Sequence, residues 1–196
     1  MSGEAAIVAA TRRWIREVVI GLNLCPFAAA PMERETIRYL VCPERRPEAI
    51  YRALLAEMEV FVQLPEEQVE TGLFIVPAGL ESFDDYLDLL YSAEQAIPEA
   101  GLEGVLQLAS FHPDYLFEGA PEDDPANYTN RSPYPMFHLI RSEGLARAVA
   151  RYPDPEQIPE RNIRTLRELG LAEMRRRLER VLGEAPESGT RGPSHT

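Results

Sequence analysis

Residues 36–76, TIRYLVCPERRPEAIYRALLAEMEVFVQLPEEQVETGLFIV, read as a strand, a helix and a strand. In the first segment, Thr36 to Cys42, Ile37, Tyr39 and Val41 alternate with Arg38 and Leu40, the period of a pleated strand. Pro47 suits the first turn of a helix, and Ile50, Leu54, Met58 and Phe61 then recur at helical spacing to mark its buried stripe. Gly72 to Val76 is the second strand. A crossover of this length returns the chain in its original direction, so the two strands are expected to be parallel.

The pattern repeats C-terminally. Ser82 and Asp85 form a helix start signal, and Phe83, Tyr86, Leu87, Leu90, Ala93 and Ile97 are expected to line one helix face before Gly101. Val105 to Phe111 is the third strand, giving two strand-helix-strand units in a row. Residues 113–135 follow, with five prolines and no hydrophobic period, too aromatic for a solvated linker because of Tyr115, Phe117, Tyr128 and Tyr134. Met136 to Ile140 reads as a short fourth strand with Met136, His138 and Ile140 on one face. Helices are expected near residues 143–151, 155–169 and 171–182, with Gly170 dividing the last two, and an N-terminal helix from Glu4 to Ile20 ended by Gly21. The expected fold is α+β with α/β character: a small mixed sheet of about four strands with two βαβ units, packed by the N-terminal and C-terminal helices. The length suits one domain, placed at 1–182, and the Gly, Pro, Ser and Thr of 183–196 read as a disordered tail.

Composition excludes several chemistries. All 20 basic residues are arginine, so no lysine is present to form a Schiff base or a phosphate-loop contact. None of the 12 glycines falls into a dinucleotide or nucleophile-elbow spacing, and no cofactor is expected. The net charge of −12 divides into +1 over residues 1–50, −16 over 51–130 and +3 over 131–196. Nucleic-acid binding is not expected of a chain whose middle lacks any basic side chain between Arg52 and Arg131. Arg12, Arg13, Arg16 and Glu17 interrupt the first apolar stretch, so no signal peptide is read there, and no run approaches a membrane span. The expectation is a cytoplasmic protein with Cys25 and Cys42 as thiols, a small-molecule ligand, no membrane or nucleic-acid partner, and homo-oligomerisation left open.

If the first three strands are parallel neighbours, their carboxyl-end loops gather at one edge, where open sheets bind ligands. Those loops carry Arg45 and Arg46, then Ser82, then His112, Asp114 and the long loop. His112 ends a strand beside Asp114 and is the first candidate for general acid/base work, with Asp114 as orienting carboxylate or second acid/base. His138 would join it if it faced the same loop. Cys25, in Leu24-Cys25-Pro26-Phe27, is the candidate nucleophile; Ala28 stands where a redox motif needs a second thiol. Asn127, Asn130, Arg131, Ser132 and Tyr134 offer amide, guanidinium, hydroxyl and phenol donors to an anionic ligand, or else satisfy the loop's own backbone. The histidines and the acids near them match no metal motif, and no metal is assigned. Two readings follow. One is a hydrolase or group transferase acting on a small polar or anionic metabolite in a His/Asp/Arg pocket. The other is a non-catalytic binding or assembly protein that uses the 113–135 loop as a recognition surface.

Four segments carry a resemblance: Gly-Leu-Asn-Leu-Cys-Pro-Phe at 21–27, Phe-His-Pro-Asp-Tyr at 111–115, Asn-Arg-Ser-Pro-Tyr-Pro at 130–135 running into Met-Phe-His-Leu-Ile-Arg, and Arg-Asn-Ile at 161–163. Over residues 5–170 the chain resembles domain-of-unknown-function family 1415. The resemblance implies a stand-alone, mostly bacterial cytoplasmic protein. It places Cys25, His112, Asp114, Asn130, Arg131, Tyr134 and His138 within the family's signature segments and assigns none of them a role.

Overall fold

A computed structural model describes residues 3–183. In chain order the elements are α1 (Gly3–Trp14), continuing as a π-helix over Ile15–Ile20, α2 (Ala29–Glu33), β1 (Ile37–Val41), α3 (Pro47–Gln63), β2 (Thr71–Ile75), α4 (Phe83–Glu99), β3 (Leu106–Phe111), a 3₁₀ turn (Pro125–Thr129), β4 (Met136–Arg141), α5 (Ser142–Val149), a 3₁₀ turn (Pro155–Gln157), α6 (Ile158–Leu169) and α7 (Leu171–Gly183). This is the expected α+β fold. Gly183 closes the last helix rather than opening the tail; the rest of the expected tail, with His195, lies outside the described residues.

The sheet order is β1-β2-β4-β3. β1 and β2 are parallel and adjacent, as their crossover requires. The second unit is split, because β4 lies antiparallel between β2 and β3. The first three strands therefore share a direction, but β3 is not a neighbour of β2. Burial explains the exchange. Met136, Phe137 and Leu139 of β4 are all 1% exposed or less, so both faces of that strand are apolar and suit a central position. β1, partly buried throughout, and β3, with Gln107 exposed, take the edges.

Each face carries its own core. On one side α3 and α4 bring Ile50, Leu54, Met58, Phe61, Tyr86 and Ala93 onto Phe74, Phe137 and Leu139. On the other, Trp14, Val18, Met32, Leu166 and Met174 pack on Leu73, Ile75 and Met136. α4 is rotated from the expected face: Leu89 is buried and Leu87 is 38% exposed. At the end of α1 the Gly21 N–H donates to the Arg16 carbonyl five residues back at 2.9 Å. A Cβ there would stand 2.5 Å from the Glu17 carbonyl oxygen, so the widened turn accepts only glycine. α3 has no basic residue in its last turn. Arg141, at the end of β4, supplies the missing cation by donating to the carbonyls of Phe61 (2.9 Å), Leu64 (2.6 Å) and Val69 (3.1 Å).

Candidate functional site

The three carboxyl-end loops do meet. Gly79, with φ +96°, lies against the Arg45 carbonyl so closely that a Cβ would come within 2.1 Å of it. Leu80 touches His112 through its carbonyl, and Val76 N–H donates to the Pro135 carbonyl at 2.9 Å. What converges there, however, is mostly backbone held by side chains.

His112 is fully buried beneath the rings of Phe83 and Tyr86. Its Nδ1 accepts the Asp114 N–H at 3.0 Å, so the proton sits on Nε2, which donates to the Leu80 carbonyl at 2.9 Å. Burial lowers its pKa, offset in part by the Leu80 carbonyl and the Asp114 charge. Both nitrogens of a neutral ring are thus committed to main-chain groups. The Asp114 side chain does not orient this ring: it is the Asp114 N–H that meets it, and the residue is exposed.

Asn127, Asn130, Arg131 and Ser132 of the 113–135 loop are spent in the same way. Asn127, fully buried, accepts the Phe117 N–H at 3.1 Å and donates to the Pro121 carbonyl at 2.9 Å. Asn130 donates to the Ser110 carbonyl at 3.0 Å, and Ser132 donates to the Tyr134 carbonyl at 2.6 Å. Arg131 donates to the carbonyls of Tyr115 and Glu122, each at 3.1 Å, and lies over the Tyr128 ring. Its own carbonyl accepts from Trp14 Nε1 at 3.1 Å. Tyr134 is partly buried, its pKa raised by burial and lowered somewhat by Arg13. Arg45 and Arg46 are exposed; Arg45 helps hold the Glu81 carboxyl below its usual range, after the Gly79 and Glu81 backbone N–H groups, and the Arg46 carbonyl accepts from Ala49 and Ile50 at the start of α3.

His138 lies across the sheet from His112, its ring near Phe111 on the face that α1 covers. Thr71 Oγ1 donates to the Leu139 carbonyl at 2.8 Å, which leaves the Thr71 hydroxyl oxygen to accept from His138 Nε2 at 2.6 Å. Burial pushes the His138 pKa down to about 4. Cys25 belongs to the helical layer: the preceding Leu24 carbonyl accepts from Asn162 of α6 at 2.7 Å. Burial raises the thiol pKa more than the Phe27 and Ala28 N–H groups lower it, away from thiolate character. The condition set for His138, that it face the same loop as His112, is therefore not met. The physical reason is strand alternation: His112 and His138 project from opposite faces of one sheet. Among the described residues no group of three or more His, Cys, Asp or Glu is placed to hold a metal ion, and no helix is long and apolar enough to cross a membrane.

With its donors turned inward, the loop turns Leu116 and Phe117 outward, 39% and 36% exposed. Phe117 meets Tyr115 at 5.0 Å between ring centroids, and Tyr115 meets Phe83 of α4 at 5.1 Å. From Phe83 the stripe continues at helical spacing through Leu87 to Tyr91, 66% exposed. Asp84, Asp85, Asp88, Asp114 and Glu118 are exposed around it. The sequence reading missed this surface because it placed Phe83 and Leu87 on the same buried face as Tyr86, Ala93 and Ile97 and left Tyr91 unassigned. The signal was present: 83, 87 and 91 form a second i, i+4, i+8 series beside 86, 89, 93 and 97.

Comparison with known proteins adds one finding. No curated protein and no solved structure matches the chain. Residues 6–176 match the family described as DUF1415, protein of unknown function. That match spans most of the chain, which therefore belongs to the DUF1415 family.

Proposed function

We propose that the protein is a non-catalytic binding or assembly protein, and that the outer surface of the 113–135 loop, together with α4, docks a basic, apolar-bearing segment of another protein. The observation that carries this reading is the division of labour within the loop: Asn127, Asn130, Arg131 and Ser132 hold backbone groups, while exposed Leu116 and Phe117 connect through half-buried Tyr115 and Phe83 to exposed Leu87 and Tyr91. Exposed apolar groups in series mark interaction surfaces. The charge selects the partner. No basic side chain occurs from residue 53 to residue 130, so an acidic segment is repelled and a cationic one is steered in. A loop already tied by hydrogen bonds loses little conformational entropy on docking.

Selection of a random peptide display library against the full chain tests the proposal. The expected result is enrichment of peptides combining Arg or Lys with Leu, Phe or Trp, whose binding falls at least tenfold on the triple substitution Leu87→Ser, Tyr91→Ser and Phe117→Ser. Enriched peptides that bind this variant equally well, or no enrichment, would refute it.

A further inference from the structure

A cleft of about 180 Å³ opens between the 152–157 turn and the first turns of α6, lined by Tyr152, Asp154, Gln157, Glu160, Arg161 and Arg164. One wall is fixed. Arg161 donates to the Tyr152 hydroxyl at 2.9 Å and to the Asn23 carbonyl at 2.8 Å, while the Tyr152 ring meets Phe27 edge-on at 5.6 Å. A guanidinium anchored at two points from different segments is preorganised rather than free to follow solvent.

The other charged groups are unspent. Glu160 and Arg164 stand four residues apart in the favourable order for a helical ion pair, yet they form none. Asp154, exposed at φ +49°, faces the same cleft, and among the described residues none of these three side chains has a hydrogen-bonding or ionic partner. Two guanidiniums and two carboxylates thus line one small cleft without neutralising each other. A simple anion would meet Asp154 and Glu160, and a simple cation would meet Arg161 and Arg164. A molecule carrying both charges satisfies all four.

We infer that this cleft binds a small zwitterion of the amino-acid class, its carboxylate toward Arg161 and Arg164 and its ammonium toward Asp154 and Glu160. The site is separate from the α4 surface and does not depend on it. The test is titration of the isotope-labelled full chain with each of the twenty common L-amino acids, read from the amide resonances of residues 152–164. Acetate, methylamine and inorganic phosphate serve as single-charge probes. The expected result is saturable shifts with at least one amino acid, and binding at least tenfold weaker for the single-charge probes. Arg164→Gln and Asp154→Asn, both at exposed side chains, should each weaken amino-acid binding at least tenfold with unchanged thermal midpoints. The inference is overturned if no amino acid saturates, if phosphate or acetate binds as tightly, or if both variants bind as the parent does.

Discussion

Replacing Tyr86 by Phe isolates one hydroxyl that closes the carboxyl end of the sheet. Tyr86 is fully buried, and its ring stacks on Phe137 at 4.8 Å, a contact that phenylalanine keeps. The hydroxyl donates to the Met136 carbonyl at 2.8 Å and accepts the Phe111 N–H at 3.1 Å. Phe111 and Met136 are partners across the β3–β4 ladder, so the phenol oxygen bridges the last rung. Deletion leaves a buried donor and a buried acceptor, each worth about 1–3 kcal/mol when unsatisfied. Because the two groups lie opposite each other, partial closure recovers some of this, and a net loss of about 2–3 kcal/mol is expected. At about 2–4 °C per kcal/mol for a chain of this size, the thermal midpoint falls by roughly 5–10 °C. Urea unfolding followed by the single tryptophan, Trp14, which is 2% exposed, gives the same quantity at constant temperature. Tyr51→Phe is the control: its hydroxyl reaches the Ser92 carbonyl at 3.4 Å in an exposed setting, and its loss should change stability by under about 0.5 kcal/mol. Equal effects of the two substitutions would refute the ladder-closing role of Tyr86.

Two further predictions rest on the same accounting. The His138 pKa is about 4 when folded and about 6.5 when unfolded, so the unfolded chain takes up the proton first as pH falls. His138 is therefore neutral with respect to pH above about 6.5 and costs stability between there and about 4, by at most about 3 kcal/mol, so His138→Gln should flatten the acid limb of the urea stability profile relative to the parent, and superimposable profiles would discard the assignment. Arg141→Met keeps an apolar stem near Phe61 but removes the donors to three carbonyls, and about 2 kcal/mol should be lost, with faster amide exchange through residues 61–70; unchanged exchange there would refute the capping role.

The periodic elements were legible because each depends on local spacing. Ile50, Leu54, Met58 and Phe61 are buried as their four- and three-residue intervals require, and β1 to β4 fall within a residue or so of their expected bounds. The strand order was not legible, since a loop of 23 residues lets β4 return to any position beside β3, and only its two-sided burial against both cores decides where it settles. The short helix α2 follows Pro26 with no capping residue at Ala28 to announce it. In the candidate site the donor groups were legible and their partners were not. Sequence supplies the donors on Asn127, Asn130 and Arg131, but whether a donor meets a ligand or a carbonyl depends on where the loop's own backbone lacks partners.

That dependence bears on the choice between catalysis and docking. A loop of this length at the end of a sheet contains many peptide groups that no ladder satisfies, and burying them without partners would cost more than the fold could offset. His112, Asn127, Asn130, Arg131 and Ser132 meet carbonyls or N–H groups of residues 80, 110, 114, 115, 117, 121, 122 and 134. Releasing any of them to bind a substrate reopens that deficit. The outer side carries no such obligation, and there the exposed groups are Leu116 and Phe117 among carboxylates. A surface of that kind gains free energy from removing apolar area from water and from attracting opposite charge, both properties of association with another macromolecule rather than of proton or group transfer.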